Sequence, residues 1–366
     1  MAFRAPYHRS DFFIGIICAI PIEYDALCLV VDEFWDVDGD RYGRAIGDCN
    51  TYTTARIGKH NVVIALLPQM GKVNSAASAA NFRSSYNNVE LLLLVSICGG
   101  VPYSGVAEIL LGDVVISKYI VQHDFGSKYT DEFIRKNTVD DNLSKTNKNV
   151  RGLLSFIETA RGQELLQAQT ASFLLQLQTK AAAKSFRGRG RRNLNYCYPG
   201  LAKDQLFRSN YIHKHHSPAY NCKICESNTD AVCDYARHAI CDDVGCNINE
   251  VITRKALKEK REPEHDNAKG IQEPTIHFGI VASGDTVMKC GLDRDRIAKD
   301  EGIIAFEMEG AGIWEEIPCI IVKGVCDYAD SHKNNAWQNF AAATAASAAK
   351  ALLGRYILTD ISRPNI

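Results

Sequence analysis

Short apolar runs punctuate both ends of this chain. Residues 12–18 (FFIGIIC), 62–67 (VVIALL), 91–97 (LLLLVSI), 113–119 (DVVISKY), 278–282 and 319–325 are each bounded by Gly, Pro or polar residues. They lack a clear apolar–polar alternation, so they read as β-strands buried on both faces. Helical patterns separate several of them. Residues 72–86 (KVNSAASAANFRSSY) gather small residues on one side, and the Ala-rich stretch 337–356, with Phe340, Leu352 and Leu353, reads as a closing helix. Strands separated by helices predict a largely parallel or mixed sheet covered on both sides. The fold-bearing pattern is split between 11–140 and 274–360.

The middle differs. Residues 150–184 have helical composition, and 187–192 (RGRGRR) form a basic run that reads as a solvated loop. Residues 193–273 are rich in Cys, His and Tyr without sheet periodicity, and 259–270 (EKREPEHDNAKG) read as an exposed linker. One α/β domain carrying a long insertion at 150–273 is the expected organisation.

Composition narrows the class. With 46% hydrophobic and 23% charged residues the 366-residue chain has the make-up of a soluble globular protein. A net charge of −1 gives no electrostatic reason to expect a nucleic-acid partner. No apolar run reaches the roughly 18 residues of a membrane span. Residues 12–20 lead directly into Pro21-Ile22-Glu23, so they predict a first strand and not a signal peptide. Of thirteen cysteines, Cys18, Cys98, Cys319 and Cys326 sit in apolar strands, where a free thiol behaves as a small hydrophobe. That pattern favours a reducing, cytoplasmic location.

Two stretches carry candidate chemistry: Phe306-Glu307-Met308-Glu309-Gly310 and Val325-Cys326-Asp327-Tyr328-Ala329-Asp330. Carboxylates just past a strand in an α/β sheet sit where ligands bind. Desolvation there raises the pKa of an acid, as a proton donor to a leaving group requires. Glu307 and Glu309 share one face in extended chain and diverge in a helix. Asp330 and His332 are expected to fix the loop after Asp327, Asp285 to shape its own loop, and His123-Asp124 to make a turn. In the insertion, Cys222, Cys225, Cys233, Cys241 and Cys246 contain one CxxC pair, with His213, His215, His216 and His238 nearby. A structural zinc site, two disulfides with one thiol left over, and free thiols all fit that spacing. The fold core has no ligand constellation of its own, so no catalytic metal and no cofactor are expected.

The segments Gly15-Ile16-Ile17-Cys18-Ala19-Ile20-Pro21-Ile22-Glu23, Gly71-Lys72-Val73, Cys98-Gly99-Gly100-Val101, Gly112-Asp113-Val114-Val115-Ile116-Ser117, Ser283-Gly284-Asp285, Glu307-Met308-Glu309 and Asp327-Tyr328-Ala329-Asp330 occur in this order. In that order they resemble nucleoside phosphorylases and methylthioadenosine/S-adenosylhomocysteine nucleosidases, over about 11–125 and 277–355. The phrases KGVCDYADSHK and VASGDTVM, with the Cys-rich insertion, look most like a fungal branch of purine nucleoside N-ribohydrolases, or the equivalent domain fused to receptor-like proteins. The resemblance implies an α/β fold: a phosphorylase/hydrolase-like mixed β-sheet flanked by helices, with a long Cys-rich, mostly helical insertion. It implies a small-molecule purine nucleoside as ligand and a homodimer as assembly.

By the same resemblance, Asp327 would protonate N7 of the leaving purine and Glu23 would position or deprotonate water. Glu309 would bind the ribose hydroxyls beside Glu307, with Met308 on the sugar. The backbone at Val287 and Met288 would meet the base edge, Cys98-Gly99 belong to the Gly-rich loop, and Trp337 falls where the family places an aromatic near the 5′ side of the sugar. Phosphorylase relatives carry an Arg and a Ser before the Cys-Gly step, where this chain has Leu94 and Ile97; Ser96 is one residue out of register. Apolar side chains cannot compensate a desolvated phosphate, so hydrolysis is expected. Phosphorolysis, a methylthioadenosine substrate and a non-catalytic nucleoside sensor are the alternatives.

Overall fold

The computed structural model describes residues 4–105, 107–138, 141–185, 195–217, 220–226, 230–261 and 268–358. The basic run 187–192 and residues 262–267 of the expected linker lie outside the described residues. The strands are β1 (Ile14–Cys18), β2 (Glu33–Phe34), β3 (Tyr52–Ile57), β4 (His60–Leu66), β5 (Leu91–Gly100), β6 (Val114–Gln122), β7 (Gly126–Lys128), β8 (Phe133–Arg135), β9 (Ile276–Ser283), β10 (Ile303–Glu307) and β11 (Cys319–Asp327). The helices are α1 (Pro21–Val30), α2 (Lys72–Ser85), α3 (Lys148–Ile157), α4 (Ala160–Ser185), α5 (Lys223–Glu226), α6 (Asp234–His238), α7 (Cys241–Val244), α8 (Lys255–Arg261), α9 (Ala268–Ile271), α10 (Gly291–Glu301), α11 (Gly310–Ile313) and α12 (Gln338–Arg355).

Nine strands make one mixed sheet in the order β10-β9-β6-β11-β5-β1-β4-β3-β2. Its first five strands curl round, because β10 also pairs antiparallel with β5 through Ala305–Gly100 and Phe306–Gly99. The central strands β5, β1 and β4 run parallel, as does β11 to β5. Every residue of β1 and β11 is buried. Alternate side chains serve opposite faces. Ile14, Ile16, Ile320 and Val322 join one core with α1, α4 and α12, while Ile17, Leu92, Leu94 and Ile321 join a second with Phe82 and Ile313. Near-continuous apolar strands are the consequence of that double coverage.

All six expected strands form. β3 and β10, which sequence patterning did not single out, add to them, and β10 delivers Glu307. The helical composition of 150–184 becomes α3 and α4. The latter packs on α12 and α1 and so belongs to the helical layer over the sheet. The described residues of 195–261 hold only short helices. No helix among the described residues is long and apolar enough to cross a membrane.

The alanines of α12 let it lie directly on the sheet, with fourteen of its residues buried. A Cβ added at Gly324 of β11 would overlap the backbone carbonyl of Ala341 in α12. Backbone cannot yield as a flexible side chain does. Gly324→Ala is therefore expected to destabilise the chain by at least about 1–3 kcal/mol, read as a lower urea midpoint with an unchanged slope.

Candidate active site

The site is assembled at strand ends. Glu23 enters at the third position of α1, whose first residue is Pro21, a favourable start because proline lacks the N–H that would be unsatisfied there. Its Oε2 accepts the N–H groups of Ala19 and Ile20 at 2.8 and 3.0 Å. Its Oε1 accepts the Ser96 hydroxyl at 2.6 Å and the Ile97 N–H at 3.0 Å. Three backbone donors thus lock the carboxylate in place. Burial raises the Glu23 pKa, with the Lys323 charge and these hydrogen bonds opposing the rise.

Glu307 ends β10 and turns back on the start of α11, accepting the N–H groups of Glu309 and Gly310 at 3.0 and 2.9 Å. Glu309 lies just beyond Met308, fixed by the Ser75 hydroxyl of α2, which donates to its carbonyl at 2.7 Å. Between the two carboxylates stands Lys323, wholly buried, its Nζ 3.0 Å from Glu307 Oε2 and 3.1 Å from Glu309 Oε2. Burial works against the ammonium, yet Glu307, Glu309 and Glu23 together hold its pKa above the ordinary lysine range. Burial would raise Glu307 too, but Lys323, Ser283 and the Glu309 amide hold it below its usual value. Glu309 moves the other way, raised by burial and by the neighbouring Glu307 charge despite Lys323.

Asp327 ends β11. Its register against Gly99 of β5 slips at Cys326, a local bulge of the kind that re-aims a side chain. Asp327 Oδ1 accepts the Ala329 N–H at 2.9 Å, and Oδ2 lies 3.1 Å from Lys333 Nζ. Ala329 sits at φ +50°, a left-handed conformation uncommon for a residue with a side chain. Gly99 is required opposite it. A Cβ there would stand 2.9 Å from both Asp327 Oδ1 and the Ala329 methyl.

One cavity of about 240 Å³ gathers these groups. Glu23, Cys98, Gly99, Val287, Met288, Glu307, Met308, Glu309 and Asp327, all anticipated from the sequence, line it. Trp337 does not. It is fully buried in the core, edge-on to Tyr198 and Phe340, with its indole N–H donating to the Lys203 carbonyl at 3.0 Å. The expectation that Trp337 lines the site is corrected accordingly; Gln338, Phe306 and Met70 are among the cavity's other lining residues. Asp124 does more than shape a turn, since it pairs with Lys72 at 2.6 Å and accepts the Asp285 N–H at 2.8 Å. Asp330 accepts the His332 N–H at 2.9 Å and fixes the loop as expected.

Sequence reading missed Lys323 and Lys333. A lysine inside an otherwise apolar strand was the available signal, because such a residue is almost never fully buried without anionic partners. It also missed a brace supplied by the middle of the chain. Asp204 accepts the Tyr328 hydroxyl at 2.6 Å and is ion-paired with Arg254, whose guanidinium covers the Tyr328 ring at 4.7 Å. Arg294 donates to the Tyr328 carbonyl at 2.8 Å. The residue next to Asp327 is thus clamped from both sides.

Residues 13–168 match the family model described as the Phosphorylase superfamily. The chain is 30% identical over 350 residues, 94% of its length, to a "Nucleotide-binding leucine-rich repeat (NLR)-like protein" of Hyaloscypha variabilis, and spans 29% of that relative's length. It is 23% identical to a 5′-methylthioadenosine/S-adenosylhomocysteine nucleosidase of Mycobacterium bovis, over 93% of this chain and 95% of that one. The solved Helicobacter pylori nucleosidase of the same name aligns with a TM-score of 0.50 at 14% identity, over 93% and 97% of the two chains, a likeness of fold.

The brace has a direct test. Arg254→Met strands Asp204 as a buried, uncompensated charge; both side chains are essentially inaccessible. A loss of about 3–5 kcal/mol is expected, measured by chemical denaturation, and Asp204→Asn on that background should recover part of it.

Proposed function

The chain belongs to the phosphorylase superfamily, and we propose that within it this protein is a purine nucleoside N-ribohydrolase, releasing free base and ribose without a cofactor. One observation carries the reading: Glu23, Glu309 and Asp327, delivered by three different elements, line a single cavity. Cleaving an N-glycosidic bond passes through an oxocarbenium-like state, which calls for an acid at the leaving group and a base holding water on the other face. Asp327 gives its proton to N7 of the departing purine. Glu309 takes the ribose 2′- and 3′-hydroxyls, and Met308 packs on the sugar. The backbone at Val287 and Met288 meets the base edge.

Water is Glu23's part. Of its four donors only the Ser96 hydroxyl can rotate away, which frees one acceptor position for a water molecule. That water adds to the anomeric carbon as the glycosidic bond breaks, and Glu23 accepts its proton. Burial keeps Glu23's pKa above the ordinary range, which makes it the stronger base.

Charge supports hydrolysis over phosphorolysis. Leu94 is buried in the core and Ile97 lines the cavity, so neither offers a donor to phosphate. Lys72 is engaged by Asp124 and Asp285, and Arg83 pairs at the surface with Glu316. Among the described residues, Lys333 is the basic side chain lining the cavity, and it faces Asp327. A phosphate dianion would meet four carboxylates there. A 5′-methylthio nucleoside is the second reading, favoured by the apolar Met70, Met288 and Phe306 walls and by the name of the mycobacterial relative.

Incubation with adenosine, guanosine, inosine or methylthioadenosine, with and without phosphate, tests the proposal by chromatography of the products. Free purine and ribose from an unmodified nucleoside without phosphate is the expected result. Base release only with phosphate, or binding with no release, contradicts it; the latter is the behaviour of a sensor. Asp327→Asn is expected to lower kcat by about 10²–10⁴-fold while leaving the fold intact by circular dichroism. The carboxylate is Glu23's working form, so kcat/KM should climb with pH through a pKa above the ordinary glutamate range. Glu23→Gln should remove that limb along with most of the rate.

A further inference from the structure

We propose that the Cys-rich segment is a two-ion zinc module, with one site formed by His215, Cys222, Cys225 and Cys233 and the other by His213, Cys241 and Cys246. Within each group the ligand atoms all lie within 4.8 Å of one another. Nδ1 of His215 is 3.7 Å from Cys233 Sγ, and Nδ1 of His213 is 3.3 Å from Cys246 Sγ and 3.8 Å from Cys241 Sγ. Ligands placed tetrahedrally at the usual Zn–N and Zn–S lengths of about 2.0–2.3 Å stand roughly 3.3–3.8 Å from each other. The match is close. The first group holds three cysteines, so a disulfide within it would leave one thiol over, and none of the five is bonded to another in this structure.

The surroundings of the ligands agree. His213 Nε2 lies 3.0 Å from the Ala239 carbonyl; donating there fixes the tautomer that turns a bare Nδ1 toward both sulfurs, the usual outer support of a metal-binding imidazole. Cys233 Sγ accepts the Ala236 N–H at 3.4 Å, which suits a thiolate. The first group supplies four ligands and is a closed, structural site. The second supplies three, and His332 adjoins it: its ring stands edge-on to His213 at 5.3 Å, its carbonyl is 3.9 Å from Cys241 Sγ, and its buried Nε2 has no hydrogen-bond partner among the described residues.

Burial alone gives this segment little support. Among the described residues its own buried core consists of Cys225, Ala236 and Val244, and α5, α6 and α7 are of four, five and four residues, far below the length at which a helix stands alone. Segments this poor in core are held by metals or cross-links. The ions would hold the segment in shape and fasten it against the loop that follows Asp327.

The test uses the full chain, purified under reducing conditions, loaded with zinc and passed over a desalting column. Elemental analysis should find about two zinc ions per chain, one for each site. Cys222→Ser with Cys225→Ser should remove one, and Cys241→Ser with Cys246→Ser the other. If either pair prevents folding, the wild-type chain is stripped and titrated with cobalt(II), where thiolate-to-cobalt charge-transfer absorption must grow to an end point at two equivalents. Fewer than two ions retained, no such absorption, or mass-spectrometric detection of disulfides among these five cysteines in the isolated protein would each overturn the proposal.

Discussion

A single buried ammonium sets the terms for the site. Lys323 projects from the middle of β11 into a space that also receives Glu307, Glu309 and the field of Glu23. Bringing several carboxylates out of water costs several kcal/mol for each charge left uncompensated. With the lysine between them, Glu307 remains an anion bound to the start of α11, and Glu309 is left the less acidic neighbour at the cavity wall. Remove the cation and the carboxylates repel in a low-dielectric cleft. The curled sheet makes this possible, because β10 and β11 reach the same place from opposite sides of β5.

Other constraints serve the same geometry. Gly99 leaves room for Asp327, the slip at Cys326 aims it, and the left-handed Ala329 turns the chain sharply behind it. Tyr328 is clamped by Asp204 and Arg254 from the middle of the chain and by Arg294 from α10. The loop bearing the proposed proton donor is therefore braced by residues remote in sequence. A 1 Å displacement in such a constellation is enough to cost large factors in rate.

Much of this was legible in the residues. Runs such as LLLLVSI and CIIV predict doubly buried strands because coverage on both faces leaves no polar alternation to read. Asp327 stands out through its place after an apolar strand, and Glu23 and Glu309 through an ordered set of short segments and the resemblance they carry. What escaped depended on tertiary contact. Lys323 interrupts its apolar run, a hint that anions face it, but only the fold shows which carboxylates these are. Trp337 lay at a plausible distance from Asp327 in the chain, yet the start of α12 carries it into the core toward Tyr198 and Phe340. Spacing alone does not sort the cysteines, because which His lies beside which Cys is decided by the fold of a segment without periodicity.

The electrostatic core of the account is open to direct observation by carbon-13 NMR titration of the glutamate carboxyls, assigned with Glu→Gln variants. The arrangement around Lys323 predicts that Glu307 titrates below the ordinary glutamate value of about 4.3 while Glu23 and Glu309 titrate above it. All three titrating together near that ordinary value would contradict it.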